Sequence, residues 1–452
     1  MPIINSINPN QPPRHCEDRK ISGRSNPMEI SGTNWAGDRR FAFLTPEYPH
    51  AKTGNSGGIG TSIKNLAVGL LAQGCAVRIL VYGQKEDAVF EDNGIVVQQI
   101  KNIKLKGLSW WLTRKKLERI INALYDNQEI DLVEAPDWTG ITSFIKPKKC
   151  PIVIRLNGSD TYFCHLDRRP VKWINKFHEK RALQNANGHI SVSQFTADLT
   201  NQLFGLNKNF TIIPNAVDMR LFNRNSIKNE NPSLQDTKQS FDKNQTSLRE
   251  AIATWQPHEE NPNHNRVLYF GTLIRKKGLL ELPFIFNKVI EQNPLAKLIL
   301  VGRDASDIIS GNASTWAMMQ QLLSPKALAN VTYLGGVPYG EIINHIEQAT
   351  LCVFPTFAEA LPVSWLEAMA LQKPVVASNI GWATEIIENG VDGFLVNPAD
   401  HSIYAAKIVA LLEDPELQKQ FGTAARKKVE QKFSMEVVAR QSLTFYENIL
   451  AP

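Results

Sequence analysis

Twice along this chain, short apolar runs alternate with amphipathic helical runs, and that alternation admits few folds. The first series opens with Arg40-Phe-Ala-Phe-Leu-Thr45, a length suited to a strand. Ser62 to Ala72 follows, with Ile63, Leu66, Ala67, Leu70 and Leu71 at helical spacing. Further strands are expected at 76–82, 131–134, 152–155, 189–192 and 211–213. The second series starts at Val267-Leu-Tyr-Phe270 and continues with strands at 297–301, 331–334, 351–354 and 375–378. Strands alternating with helices build doubly wound parallel sheets, so two series predict two such α/β domains. Residues 1–38 are polar and aperiodic and read as a disordered leader. Residues 223–265 are rich in Asn, Gln, Ser, Lys and Asp and read as a linker or insertion, with one short helical pattern at 247–255. The expected domains are therefore 39–222 and 266–434, and the chain closes on a helix over 435–452.

The segment from Phe354 to Ala370 holds two carboxylates, Glu359 and Glu367. The apolar run Leu351-Cys-Val-Phe354 enters it as a buried strand, and a helical run from Val363 to Leu371 leaves it. Glu359 thus falls in the loop at a strand's carboxyl end, and Glu367 about one turn inside the next helix. In open parallel sheets that crevice is where ligands bind. The helix start supplies free N–H groups and the positive end of a dipole, which suits a diphosphate. Carboxylates accept hydrogen bonds from hydroxyls, so one near a sugar and one near a ribose would fit a nucleotide sugar. A simpler role for Glu359 is to favour the helix N-terminus, worth roughly 0.3–1 kcal/mol. Glu367 sits among Val363, Trp365, Leu366, Ala368 and Met369, which is unlike a solvated surface charge.

Other strand ends carry candidate residues. Gly54-Asn-Ser-Gly-Gly-Ile-Gly60 follows the first strand, and glycines let backbone N–H groups approach an anion. It is neither a dinucleotide fingerprint, since Ile63 fills the third glycine position, nor a P-loop, since no Lys precedes Thr61. Gly271-Thr-Leu-Ile-Arg-Lys-Lys-Gly278 sets Arg275, Lys276 and Lys277 at the first strand end of the second domain. Lys276 reads as a solvated surface charge. Asn157 and Asp160 end the strand at 152–155, Asp160 being either an acceptor contact or a helix N-cap. Glu134-Ala-Pro-Asp-Trp138 lies at another carboxyl edge, and Ile213-Pro-Asn-Ala-Val-Asp218 reads as a hinge.

Glu359 and Glu367, followed by Ala-Met-Ala and Lys373-Pro-Val-Val-Ala-Ser378, resemble the signature of retaining glycosyltransferases of family 4. So does Gly381-Trp-Ala-Thr-Glu385 through Gly393-Phe-Leu-Val396. The resemblance runs from about residue 39 to 450 and implies the GT-B fold, two Rossmann-like domains with a cleft between them. It implies transfer of a sugar from a nucleotide-diphosphate sugar to a glycan, lipid-linked or small-molecule acceptor, with retention and without a metal or cofactor. Residue by residue, it assigns Lys277 to the leaving diphosphate, Glu359 to the sugar hydroxyls and Glu367 to the ribose. Gly57, Gly58 and the N–H groups of Ala360 and Leu361 would meet the diphosphate. Thr272 stands where the family has an arginine, and either Arg275 supplies that charge or the site manages with one cation. Asn157 stands where members often carry His; Asn157, Asp160 and Glu134 fall on the acceptor side. The closing helix resembles one that crosses back onto the first domain. The alternative reading is a catalytically degenerate nucleotide- or glycan-binding relative, fed by Thr272 and Asn157.

Composition excludes more than it selects. A net charge of +6 is compatible with anionic substrates but is no nucleic-acid signal. The five cysteines form no C-x2-C pair, so neither a zinc ribbon nor a disulfide framework is expected and the cytoplasm is the default. No signal peptide and no long apolar span is read. The stretch from Lys101 to Arg119, with Trp110 and Trp111, and a second from Arg168 to His178 are basic and aromatic. Such stretches lie well on an anionic membrane surface, which would make the protein peripheral on the inner face of the plasma membrane; equally, their apolar side chains could face a core.

Overall fold

The computed structural model describes residues 39–54, 56–223 and 265–451. The leader expected at 1–38, most of the linker and the helical pattern at 247–255 lie outside the described residues. The first sheet contains β1 Arg40–Thr45, β2 Ala76–Gln84, β3 Ala88–Asp92, β4 Ile95–Lys101, β5 Leu132–Pro136, β6 Ile152–Leu156, β7 Gly188–Ser191 and β8 Thr211–Ile212. Their order is β3-β4-β2-β1-β5-β6-β7-β8, parallel except where β3 pairs antiparallel with β4. The second sheet contains β9 Arg266–Phe270, β10 Lys297–Val301, β11 Val331–Tyr333, β12 Leu351–Phe354, β13 Val375–Ser378 and β14 Phe394–Val396. Its order is β11-β10-β9-β12-β13-β14, all parallel.

Period-two alternation splits the first domain's core into two layers. Phe41 and Phe43 of β1 pack with Leu66, Leu70 and Tyr446, whereas Ala42 and Leu44 pack on the other face with Leu117, Ile121 and Leu124. Both faces of the sheet are covered, which is why β2 is apolar nearly throughout rather than alternating. The β3–β4 hairpin and β14 were not anticipated. Asn93 and Gly94 join the hairpin at φ +51° and +83°, the two positive values a tight primed turn requires. The first helix, Gly58–Ala72, begins four residues before the expected start at Ser62 and takes in Gly58 and Gly60.

Among the described residues, the chain passes between the sheets at one spot, near Val217 and Ser434. Val217 and Ser434 form a parallel bridge, closed by Val217 N–H to Phe433 O (2.9 Å) and Met435 N–H to Val217 O (3.2 Å). The helix Met435–Leu450 then packs on the first domain. Gly69 admits it: a Cβ there would lie 2.9 Å from both the Ala439 methyl and the Met435 carbonyl. Tyr446 donates to Glu134 (2.6 Å) and Arg155 donates to Ser442 (3.1 Å).

Candidate functional site

The carboxyl ends of β9 and β12 are stitched together by backbone. Phe357 and Ala358 N–H both donate to the Lys276 carbonyl, at 2.8 and 3.2 Å. The turn Arg275–Lys277 ends at Gly278, with φ +75°. A Cβ there would lie 1.8 Å from the Pro355 carbonyl, so only glycine lets the two loops meet this closely. The stitching brings Lys277 Nζ to 3.1 Å from Glu359 Oε1, both partly exposed to the crevice. Pro362 fixes the entry to the helix Val363–Ala370. One turn in, Glu367 is 5% exposed. Burial pushes its carboxyl up to about 7, against the opposing pull of the Tyr339 hydroxyl and Lys277. Tyr339 donates to Glu367 Oε1 at 2.5 Å.

Several expected residues are held otherwise than the sequence suggested. Arg275 was the candidate for a second cation, but its guanidinium binds both oxygens of buried Asp307 at 2.7 and 2.8 Å. Lys276 is not a solvated charge: its ammonium stands 3.8 Å above the Phe163 ring, across the interdomain cleft. Thr272 is held by its carbonyl, which accepts from Tyr269 at 3.0 Å. Glu134, expected on the acceptor side, is 3% exposed and bound by Arg155 (2.8 and 3.1 Å) and Tyr446. Asp160 is not the N-cap, because Ser159 caps the helix Asp160–Leu166. The Asp160 carboxylate is engaged by Asn175 at 2.9 Å. Asn157 remains half-exposed at the end of β6, its N–H donating to Asp137 Oδ1 at 2.9 Å. Gly57 caps the first helix but faces the Glu47 carboxylate, which accepts from Gly60 N–H at 2.9 Å. The anion-ready helix start therefore already carries a carboxylate, while Gly58 faces open space. The carbonyls of Glu359, Ala360 and Leu361 accept from Tyr162, Ser193 and Asn215 of the first domain.

Sequence reasoning missed two buried carboxyls of the first domain. Asp137 is 1% exposed and its Oδ2 is buried without a hydrogen-bond partner. Glu179 accepts from the N–H groups of Thr139, Asp160 and Thr161 and from the Thr161 hydroxyl. Burial pushes both up to about 7. Asp137 lies inside the strand-end loop already singled out; Glu179 sits in a helix with no pattern to mark it. Among the described residues, no group of three His, Cys, Asp or Glu side chains could hold a metal ion.

Two doubly wound domains with carboxylates and a lysine at facing strand ends define a GT-B fold. The same architecture is found in sucrose-phosphate synthase from Thermosynechococcus elongatus (TM-score 0.68, 20% identity, 91% of this chain and 99% of that one). It is found also in HepE of Anabaena (TM-score 0.63, 20% identity, 91% and 100%). The Glycosyltransferase Family 4 model matches residues 56–221, and the model for glycosyl transferases group 1 matches 253–428. The chain belongs to this family of glycosyltransferases. Its curated relatives include the capsular polysaccharide biosynthesis glycosyltransferase CapM of Staphylococcus aureus, 28% identical over 189 residues, 42% of this chain and 47% of that protein. An uncharacterized glycosyltransferase of Methanocaldococcus jannaschii is 22% identical over 418 residues, 90% of this chain and 98% of that one. The chain thus spans about half the length of CapM and nearly all of the archaeal relative.

Proposed function

We propose that the protein transfers a sugar, with retention, from a nucleotide-diphosphate sugar to a glycan or lipid-linked acceptor. The observation that carries this is the Lys277–Glu359 pair in the loops at the carboxyl edge of the second sheet, with buried Glu367 one turn inside the helix that follows. In this reading Glu367 accepts from the ribose hydroxyls and Glu359 from the sugar hydroxyls. Lys277 turns from Glu359 to the diphosphate. The bond from the anomeric carbon to the phosphate oxygen breaks, the acceptor oxygen bonds to the same face, and the departing phosphate takes the acceptor proton. The protein positions the partners and stabilises the developing phosphate charge. HepE has been solved with UDP and with UDP-glucose, which supports a nucleotide-sugar donor here. Capsular polysaccharide synthesis in CapM supports a glycan product. A catalytically degenerate binding protein is the second reading, favoured by Thr272 and by the capture of Arg275 by Asp307.

The test is release of nucleoside diphosphate from UDP-, GDP- and ADP-sugars in the presence of a chelator. Turnover is expected to persist without metal, and Lys277→Ala is expected to lower it about 10²- to 10³-fold, as loss of a charge-stabilising donor does. Strict dependence on a divalent ion, or normal turnover of the variant, contradicts the mechanism.

A cytoplasmic protein, peripheral on an anionic membrane, is the matching location. The two basic-aromatic stretches converge: Trp110 lies 5.3 Å from His178, and Phe144 bridges Trp110 to Phe177. Trp110, Trp111, Trp173, Ile174 and Phe177 remain exposed there, Trp173 at 77%, beside exposed Lys104, Lys106 and Lys172. Each basic residue near an anionic leaflet adds about 1 kcal/mol. Flotation with anionic but not neutral liposomes is expected, and indifference to both sinks this part.

A further inference from the structure

The loop that carries Glu359 belongs to the second domain, yet the first domain holds its backbone. Three consecutive carbonyls are taken in turn. Tyr162 donates its hydroxyl to the Glu359 carbonyl at 2.7 Å. The Ser193 and Thr196 hydroxyls, 2.7 Å apart, meet the Ala360 carbonyl at 3.1 and 3.3 Å. Asn215 donates its amide to the Leu361 carbonyl at 2.8 Å. All four donors are buried, Tyr162, Ser193 and Thr196 completely, so water does not compete for these bonds.

The same side chains reach back into the first domain's own machinery. Asn215 Oδ1 accepts from Ser62, on the helix that the glycine loop opens, at 2.7 Å. Ser193 caps the helix Gln194–Phe204, whose Gln194 and Phe195 N–H groups donate to Glu385 of the second domain at 2.7 and 3.0 Å. Phe195 fills the space beside Gly381, where a Cβ would meet its ring at 2.3 Å. Tyr162 sits on the helix that follows Asn157, and burial raises its pKa, so it stays a hydroxyl donor at any working pH.

We propose that Tyr162, Ser193, Thr196 and Asn215 are positioning residues of the donor site: side chains of one domain set the backbone of the other domain's sugar-contacting loop, so that Glu359 is aimed only when the two domains are together. The four side chains bond the loop's backbone, and their hydrogen bonds go neither to Glu367 nor to Lys277, which meets the loop through the Glu359 carboxylate. Ribose recognition by Glu367 and sugar alignment by Glu359 are thereby separable, the first belonging to the second domain and the second to closure, while the Ala360 and Leu361 N–H groups expected at the diphosphate go with the latched loop. This rests on the donor assignment of Glu359 given above.

The test takes the full chain with Tyr162→Phe and Asn215→Ala. Hydrogen exchange is read across 356–363, with equilibrium binding of UDP, GDP and ADP and of UMP, GMP and AMP, which keep the ribose and lack the second phosphate, and kcat for the donor the wild type uses. Exchange in that segment is expected to quicken, and kcat to fall, each by about tenfold, the upper worth of one net hydrogen bond. The monophosphate dissociation constant, which reports the ribose site and not the latched loop, is expected to stay within about twofold, a split that a general loss of stability does not produce. Unchanged exchange in both variants overturns the latch, as does faster exchange with unchanged kcat. Wild-type protein that binds no nucleotide overturns the transferase reading instead, and the exchange result then decides the latch alone.

Discussion

At the scale of residues, the candidate site is a set of charges whose ionisation is set by burial. Glu367 accepts ribose hydroxyls best as a carboxylate, and burial pushes it up to about 7. Donor affinity is therefore expected to strengthen as pH rises from 6 to 8, in an isothermal titration with the cognate nucleotide. A flat profile would mean that Glu367 does not meet the ribose. Unliganded stability runs the opposite way. Asp137, Glu179 and Glu367 bind protons more tightly in the folded state than at their ordinary values, so the stability they contribute is present at acid pH and is lost as pH rises towards 7. The places of Glu359, Glu367 and Lys277 beyond strand ends were legible in sequence because each follows an apolar run at short range. Glu179 was not, since its partners lie 18 to 40 residues away and are mostly backbone N–H groups. The ion pair of Arg275 was not foreseen for a related reason: its partner Asp307 lies 32 residues on, in a loop without periodicity.

At the scale of elements, two loops from different strands form one surface because a glycine lets them touch. Gly278→Ala meets both the Pro355 carbonyl and a left-handed φ. It is expected to lower stability by at least about 1 kcal/mol, read as a shift in urea midpoint, because an L side chain in that region is strained. It should also separate Lys277 from Glu359. An unshifted midpoint would show that the loops do not pack as described. Most strands were legible from apolar runs four to seven residues long. The β3–β4 hairpin was missed although Asn93-Gly94 marks it, and β14 is only three residues long. The first helix was read short because its opening turn contains Gly58 and Gly60, which weaken the helical pattern although Ile59 keeps the spacing to Ile63.

At the scale of the molecule, the chain crosses between domains only at Val217 and Ser434 among the described residues, and the two crossings bond to each other. A pivot with both strands at one point leaves the facing strand ends free to approach, which is the geometry of hinge closure on a ligand. Two doubly wound units were legible from alternation alone. Their mutual grip was not, because hydroxyls such as those of Tyr162, Ser193 and Thr196 carry no sequence signal for the carbonyls they meet. The central claim, that the second domain's strand ends bind a nucleotide-diphosphate sugar, is tested most directly by thermal unfolding with UDP, GDP and ADP in turn. A nucleotide at 100 times its dissociation constant adds about 2.7 kcal/mol of stability. The account predicts a clear rise in melting temperature with one of the three and little with the others. No rise with any of them would contradict it.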